Sequence, residues 1–303
     1  MLRYLTAGES HGKGLMGILE GIPSGLPLSL KNIHPEMQRR KMGYGRGRRQ
    51  QIEKDEVEIM AGVRHGKTLG SPIALIVWNR DWQNWQEIMQ VEPYQGSVKR
   101  KVDIPRPGHA DLVGGIKYQH EDMRNVLERS SARETAMRVA LGCIARKFLK
   151  ELGIHIARRV TNIGAVEDMT NLQHEIKELN QLLDTSPVRC LGKTAEMNMV
   201  AEIEKAKKAG DTLGGIFEVY ASGVPIGLGS YIQWDLRLEG IIAQAFMSLN
   251  AIKGVEMGLG FTLAKIWGSE AHDALSVGSD GQIVYQSNRA GGITGGMTTG
   301  QTL

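Results

Sequence analysis

Apolar positions fall in short runs through the first eighty residues and in helical stripes through the middle of the chain. Residues 3–7 and 15–20 read as strands, the second stopped by Gly21-Ile22-Pro23-Ser24-Gly25. Residues 56–63 and 72–78 are further β-type runs, with a turn-rich stretch at 64–71 between them. From Ser131 the period changes. Ser131-Ala132-Arg133-Glu134 has the form of a capping box, with Ser131 as N-cap and Glu134 three residues on. Met137, Leu141, Ile144 and Phe148 follow at helical spacing until Gly153 closes the helix. Further helices are predicted over 172–183, ended by Pro187, from a Thr194 cap to Gly210, and around 240–249. Residues 214–221 and 228–233 read as strands, with a hairpin through Gly223-Val224-Pro225 as the pairing they suggest, before a glycine-rich end.

This mixture predicts an α+β fold with several antiparallel strand pairs. It is not the repeating βα alternation of a doubly wound sheet or a parallel barrel. No tandem repeat or low-complexity linker interrupts it, so 1–303 reads as a single large domain. Composition changes this picture in one respect. Glycine supplies 38 of the 303 residues, roughly twice the usual ~7%. With no G-X-Y period and 41% hydrophobic residues, the glycines imply tight turns or close backbone approaches in a globular protein. A net charge of +4 favours an anionic partner, nucleic acid being one among several. Cys143 and Cys190 have no metal-binding or redox spacing and suit a reducing compartment. No signal-peptide core follows Met1, and no run of about 18 apolar residues is present. A soluble, cytoplasmic protein without a membrane partner is the expectation.

Six segments carry candidate chemistry. Gly8-Glu9-Ser10-His11-Gly12 follows the first strand. Its glycines let backbone crowd a ligand and His11 exchanges a proton near neutral pH, although a surface turn with a solvated histidine fits the same residues. Between Arg39 and Arg49 six cations fall in eleven residues, interleaved with Gly43, Gly45 and Gly47. Such a loop binds phosphate or carboxylate through guanidinium forks, or it is simply a solvated basic loop. As a nucleic-acid element it lacks aromatics beyond Tyr44. Ala61 to Thr68 fits a relaxed phosphate-loop pattern, but a β-type run follows where a helix must begin, which excludes nucleoside-triphosphatase chemistry. Pro105-Arg106-Pro107-Gly108-His109-Ala110-Asp111 sets a second histidine in a stiff turn, where Asp111 is placed to orient an imidazole; a structural turn is the alternative. Arg129-Ser130-Ser131-Ala132-Arg133 gathers hydroxyls and guanidinium groups at a helix N-terminus, a natural anion site that is compatible with plain capping. The stretch from Asn288 to Gly300 reads either as backbone packed on a flat ligand or as a flexible tail. No GxGxxG follows a strand, so a dinucleotide Rossmann site is not expected.

Taken together, these motifs resemble the chorismate synthase family. The resemblance rests on Gly8-Glu9-Ser10-His11-Gly12, Gly43-Tyr44-Gly45-Arg46-Gly47, Arg106-Pro107-Gly108-His109-Ala110-Asp111, Arg129-Ser130-Ser131-Ala132-Arg133-Glu134 and Gly295-Gly296-Met297-Thr298, in that order over essentially the whole chain. It implies a β-α-β sandwich with helices between two antiparallel sheets, assembled as a homotetramer. It also implies a 1,4-anti elimination of phosphate from 5-enolpyruvylshikimate 3-phosphate to give chorismate, with reduced FMN as cofactor. By resemblance Ser10, Arg40, Arg46, Arg49 and Arg133 bind the anionic small-molecule substrate. His11 protonates the departing phosphate and His109 manages the charge of the reduced flavin. Arg129, Ser130, Ser131, Asn250, Ala251 and Gly295 match positions lining FMN. Whether the protein reduces its own flavin with NADPH is left open.

Members of the family continue past the Gly-Gly-Met-Thr segment, with further residues for FMN and flavin proton chemistry, whereas this sequence ends at Leu303. The expectation is a fragment of a longer protein, with little turnover and weakened FMN affinity as it stands. Two other readings stand against the lyase: a catalytically silent homologue that only binds ligand or assembles, and a nucleic-acid binder using the cations between Arg39 and Arg49. One compact cationic loop suits a small polyanion better than nucleic acid.

Overall fold

Two neighbouring strands, β1 (Arg3–Gly8) and β2 (Gly14–Glu20), set the inner face of the first sheet. Along β2, Leu15, Gly17 and Leu19 are buried while Met16, Ile18 and Glu20 are exposed, the two-residue period of a half-buried strand. The computed structural model describes residues 2–47, 52–94, 96 and 99–303. The chain divides into two units, Met1–Phe148 and Leu149–Leu303.

In the first unit α1 (Leu30–Lys41), β3 (Val57–Ala61), a small hairpin of β4 (Val63–Arg64) and β5 (Lys67–Thr68), and β6 (Ile73–Trp78) follow. The main sheet has the order β1-β2-β6-β3, antiparallel throughout. In β6, Ile73, Leu75, Ile76 and Val77 are all buried, as befits an interior strand. The hairpin β4–β5 turns through His65 and Gly66, both at positive φ (49° and 73°). Strand, turn and strand thus occupy the stretch that resembles a phosphate loop, and no helix N-terminus follows Lys67, in agreement with the sequence reading. Then come α2 (Asp111–Tyr118), α3 (Arg124–Ser130) and the long α4 (Thr135–Glu151). Met137, Ala140, Leu141 and Ile144 form the buried stripe of α4 and join Ile33 and Met37 of α1 against Leu15, Leu19, Ile73 and Leu75. Each of the larger side chains contributes about 1.5–3 kcal/mol by leaving water.

The start of α4 departs from the capping box. Ser131 caps a 3-10 turn, Ala132–Glu134, by accepting from the Arg133 N–H at 3.3 Å. Glu134 does not reach back: its Oε1 accepts from Thr6 Oγ1 (3.2 Å) and from Arg138 Nε (2.8 Å). A buried carboxylate with a guanidinium one turn ahead is better satisfied there than at a single backbone N–H. The helix α1 is also absent from the sequence reading, because Pro35 inside it and the cations at its end resemble loop chemistry. Arg39, Arg40 and Lys41 form its last turn, where the helix dipole favours positive charge.

The second unit contains β7 (His155–Ile163), β8 (Val166–Glu167), α5 (Ile176–Leu183), α6 (Lys193–Ala209), β9 (Gly215–Ser222) and α7 (Leu238–Met247). Its sheet has the order β8-β7-β9 and is antiparallel. Ile176, Leu179 and Leu183 of α5 pack with Ala157 of β7, and Met199 of α6 packs with Val188 and Cys190. Gly210 ends α6 in the left-handed conformation, φ 69°, as the sequence indicates. The expected strand at 228–233 is not formed. Gly227 and Gly229 take φ of 89° and 91°, and Leu228 pairs instead with Thr298 of the C-terminal hairpin, β12 (Ile293–Thr294) and β13 (Met297–Thr298), which follows β10 (Leu275–Val277) and β11 (Ile283–Tyr285). The glycine-rich end is therefore folded: Ile293, Thr298 and Thr299 are buried and Leu303 exchanges two backbone hydrogen bonds with Ala221. No helix among the described residues is long and apolar enough to cross a membrane.

Candidate active site

Gly8 ends β1 at φ 107°, and a Cβ there would collide with the Gly14 carbonyl. Glycine thereby opens the tight loop that carries Ser10 and His11. Gly8→Ala is expected to cost about 1–3 kcal/mol, read as a lowered melting temperature of the purified protein. The loop is pinned from below by Asn79, whose amide donates to the Glu9 and Gly12 carbonyls (3.1 and 2.8 Å). It is pinned from the side by α3, where the Glu128 carbonyl accepts from Ser10 N–H at 2.8 Å.

His11 is held on two sides. Its ring stacks on Trp85, with centroids 3.9 Å apart and planes 28° from parallel. Its Nδ1 lies 2.9 and 3.0 Å from the two Glu128 carboxylate oxygens, and its backbone N–H donates to Oε2 at 2.7 Å. Arg124, one turn earlier on α3, donates to Glu128 Oε1 at 2.9 Å. Burial pushes the Glu128 carboxyl up, but His11 and Arg124 more than offset it and hold the group below the usual carboxylate range.

His109 has the same kind of support. The turn closes through His109 N–H to the Arg106 carbonyl (3.3 Å), and the His109 Nδ1 lies 2.5 Å from Asp111 Oδ1. Arg106 grips the other oxygen through Nε (2.9 Å) and backbone N–H (3.2 Å). Asp111 is fully buried, and the Arg106 side chain, against the opposing effect of burial, is the main cause that lowers its carboxyl to about 2. A depressed carboxyl contributes stability that is present above its ordinary value near 3.8 and lost as pH falls towards 2. Asp111→Asn is therefore expected to lower stability at neutral pH by on the order of 2 kcal/mol, with the difference from the parent closing between about pH 4 and 2 in denaturant titrations.

Both histidine loops reach the C-terminal end of α3. Ser10 Oγ and Ser131 Oγ are 3.1 Å apart, and Ser130 Oγ lies 3.5 Å from His109 Nδ1 while donating to the Val126 carbonyl. Arg129 donates to Thr6 O (2.9 Å), Thr6 Oγ1 (2.8 Å) and Gly8 O (3.3 Å). These partners are neutral, so its exposed positive charge remains for an anion. Arg40 and Arg133 share Asp55: Arg133 Nη1 donates to Oδ1 and Arg40 Nη1 to Oδ2 at 3.0 Å. Arg133 also donates through Nε (3.0 Å) and Nη2 (2.9 Å) to the same Asn79 oxygen. Burial, with repulsion from Arg133 and Arg46 and against the pull of Asp55, lowers the Arg40 guanidinium from its ordinary value. Arg46 is exposed, whereas Arg49 lies outside the described residues.

The chorismate synthase family model matches residues 2–303. Chorismate synthases of Geobacillus sp. strain WCH70 and of Listeria welshimeri are 55% and 52% identical to this chain, covering all of it and 78% of their own length. A solved structure, "Crystal Structure of Chorismate Synthase", superposes with a TM-score of 0.84 at 45% identity, over 100% of this chain and 81% of that one. The chain belongs to the chorismate synthase family. Its α+β class, with several antiparallel sheets, is that of a solved chorismate synthase.

The remaining residues matched to the family's FMN positions lie in the second unit. Asn250 and Ala251 follow α7 and are exposed, Ala251 at φ 68°. Gly295 and Gly296 make the two-residue turn of the β12–β13 hairpin at φ 60° and 92°. Beside Gly295 the space a side chain would fill is open, whereas Gly296 sits tightly against Ser230.

Four supporting residues escape the sequence reading: Glu128, Trp85, Asn79 and Asp55. Glu128 had one signal, an arginine four residues before it on a helical spacing. Asp55 is one of several acids just beyond the cationic stretch, with Glu53 and Glu56 on either side, and nothing in sequence pairs it with Arg133, 78 residues away.

Proposed function

We infer that this protein is a lyase that eliminates phosphate from 5-enolpyruvylshikimate 3-phosphate to give chorismate. The observation that carries this reading is the pair of histidines, each with Nδ1 against a buried carboxylate, set around Ser10, Ser130 and Ser131 and beside arginines. The reaction breaks a C–O bond, whose electron pair leaves with phosphate, and a C–H bond at the far end of the allylic system; the C–H pair forms one ring double bond, the existing double bond shifts to the carbon that loses phosphate, and the proton passes by way of a base to water. His11 gives the proton to the departing phosphate oxygen from Nε2, since Nδ1 is committed to Glu128. Arg40, Arg46, Arg49, Arg133 and Ser10 bind the substrate's phosphate and carboxylates. Buried guanidinium groups anchored on Asp55 and Asn79 suit a small, fixed polyanion better than the solvated cationic stripe of a nucleic-acid surface.

Reduced FMN, when bound, supplies electron density to the breaking C–O bond without net redox change. The residues fit such a group in each unit taken by itself. In the first, Arg129 offers a positive charge whose partners among the described residues are neutral oxygens, with the hydroxyls of Ser130 and Ser131 next to it. In the second, Asn250, Ala251 and the open space beside Gly295 suit close approach of a flat ring. His109, oriented by Asp111, balances the negative charge of the reduced flavin. Replacing Arg129 by Ala is expected to weaken FMN binding at least about tenfold, measured by fluorescence quenching of oxidised FMN; unchanged affinity would remove Arg129 from the site.

The same reading makes the protein a cytoplasmic homotetramer. Leu5, Met16 and Ile18 form an exposed apolar outer face on the first sheet, of the kind that a further copy would cover. A catalytically silent role is not favoured, because His11, His109 and the buried groups that orient them are all in place.

A further inference from the structure

The proton donor of a leaving phosphate must present a defined ring nitrogen, and a histidine free in solution does not. In water the two neutral tautomers interconvert, and the bond made by one nitrogen decides which proton the other carries. We propose that Glu128 is the positioning residue of His11, fixing its neutral form as the Nδ1–H tautomer so that Nε2 alone faces the reaction. This rests on the lyase reading above for its consequence, but not for its geometry.

Three observations carry it. The Glu128 side chain is 1% exposed and both its oxygens lie within 3.0 Å of His11 Nδ1. An ionised carboxylate only accepts, so the proton between the two groups belongs to Nδ1. Second, Arg124 donates to the same carboxylate, which keeps it ionised and stops it from rotating away. Third, the Trp85 indole lies flat against the imidazole, while the Arg100 and Arg124 guanidinium groups sit over that indole at 4.3 and 5.0 Å from its ring. Trp85 is itself anchored, its Nε1 donating to Asp81 at 2.9 Å. The ring plane is therefore set by stacking and its rotation by the carboxylate. After His11 gives up its Nε2 proton, it is left neutral with Nδ1–H still bonded to Glu128 and the Nε2 lone pair ready to be protonated again.

A tether that served only the fold would use the backbone contact from His11 N–H to Glu128 Oε2, and would leave the ring indifferent. Two readouts separate the cases. Long-range proton–nitrogen NMR spectra of 15N-histidine-labelled protein at about pH 8.5, well above the ordinary histidine range, report the neutral tautomer without any ligand. His11→Gln assigns the signal. The parent is expected to show His11 as Nδ1–H. Glu128→Gln, whose amide both donates and accepts, is expected to mix the tautomers and lower kcat at least about tenfold, with KM changed less than about twofold. Glu128→Asp is expected to recover part of both. If Glu128→Ala does not fold, the isosteric Gln variant still decides. An Nε2–H parent, or a Gln variant with parental tautomer and parental kcat, overturns the proposal. Loss of the tautomer preference in a protein that makes no chorismate would support the positioning role while contradicting the lyase reading.

Discussion

His11→Ala is expected to lower turnover by about 10²–10⁴-fold while FMN binding survives. The leaving group is a phosphate ester oxygen, and without a donor it departs unprotonated, its charge met by the arginines alone. His11 is the only titratable side chain in the loop Glu9–Lys13 whose ordinary pKa lies near neutrality. Glu128 and Trp85 hold it in one orientation. His109→Ala is expected to fall by a comparable factor, because the group that balances the reduced flavin is lost together with the partner of Asp111. Steady-state turnover with chemically reduced FMN, beside a fluorescence titration of oxidised FMN, separates chemistry from binding. Parental turnover in either variant would take that histidine out of the proton scheme.

The second large effect is on folding. Asp55→Ala is expected to destabilise the protein by about 3–5 kcal/mol. Asp55 is 3% exposed and its two oxygens serve two different guanidinium groups, Arg40 and Arg133. Taking it away leaves two like charges in a buried site, with Glu53 at 3.5 Å from Arg133 as the nearest remaining acid. The contrast is Glu56, which pairs with Arg80 in the open with both side chains about half exposed or more. Glu56→Ala is expected to change stability little, because solvent screens such a pair. Denaturant titration of the two variants at neutral pH checks the difference, and equal, small effects would show that the Asp55 network contributes nothing beyond a surface pair.

Much of this arrangement is legible in the chain. Strands β1, β2, β3 and β6 follow from alternation and bounding turns, and α4, α5 and α6 from apolar spacing and terminal glycine or proline, because those signals are local. His11, His109 and the serines at 130 and 131 sit in local motifs as well. What local pattern misses is partnership across the fold. Glu134 abandons its capping position for Thr6, 128 residues away. Leu228 and Gly229 pair with the C-terminal hairpin instead of with β9. Pro35 and three terminal cations disguise α1 as a loop, although Ile33 and Met37 bury it in the core. The candidate site divides the same way. Most groups proposed to touch ligand stand in short local motifs, while Glu128, Trp85, Asn79 and Asp55, which aim them, are ordinary residues until the fold brings them together.

The central claim is elimination of phosphate assisted by a fixed histidine donor, and one assay reaches it directly. Purified protein with saturating reduced FMN and 5-enolpyruvylshikimate 3-phosphate, followed for both products under anaerobic conditions, is expected to release chorismate and phosphate in equal amounts, however slowly, while the flavin ends as reduced as it began. Phosphate released without chorismate, flavin oxidised in step with turnover, or no reaction from protein shown to bind both FMN and substrate would contradict it.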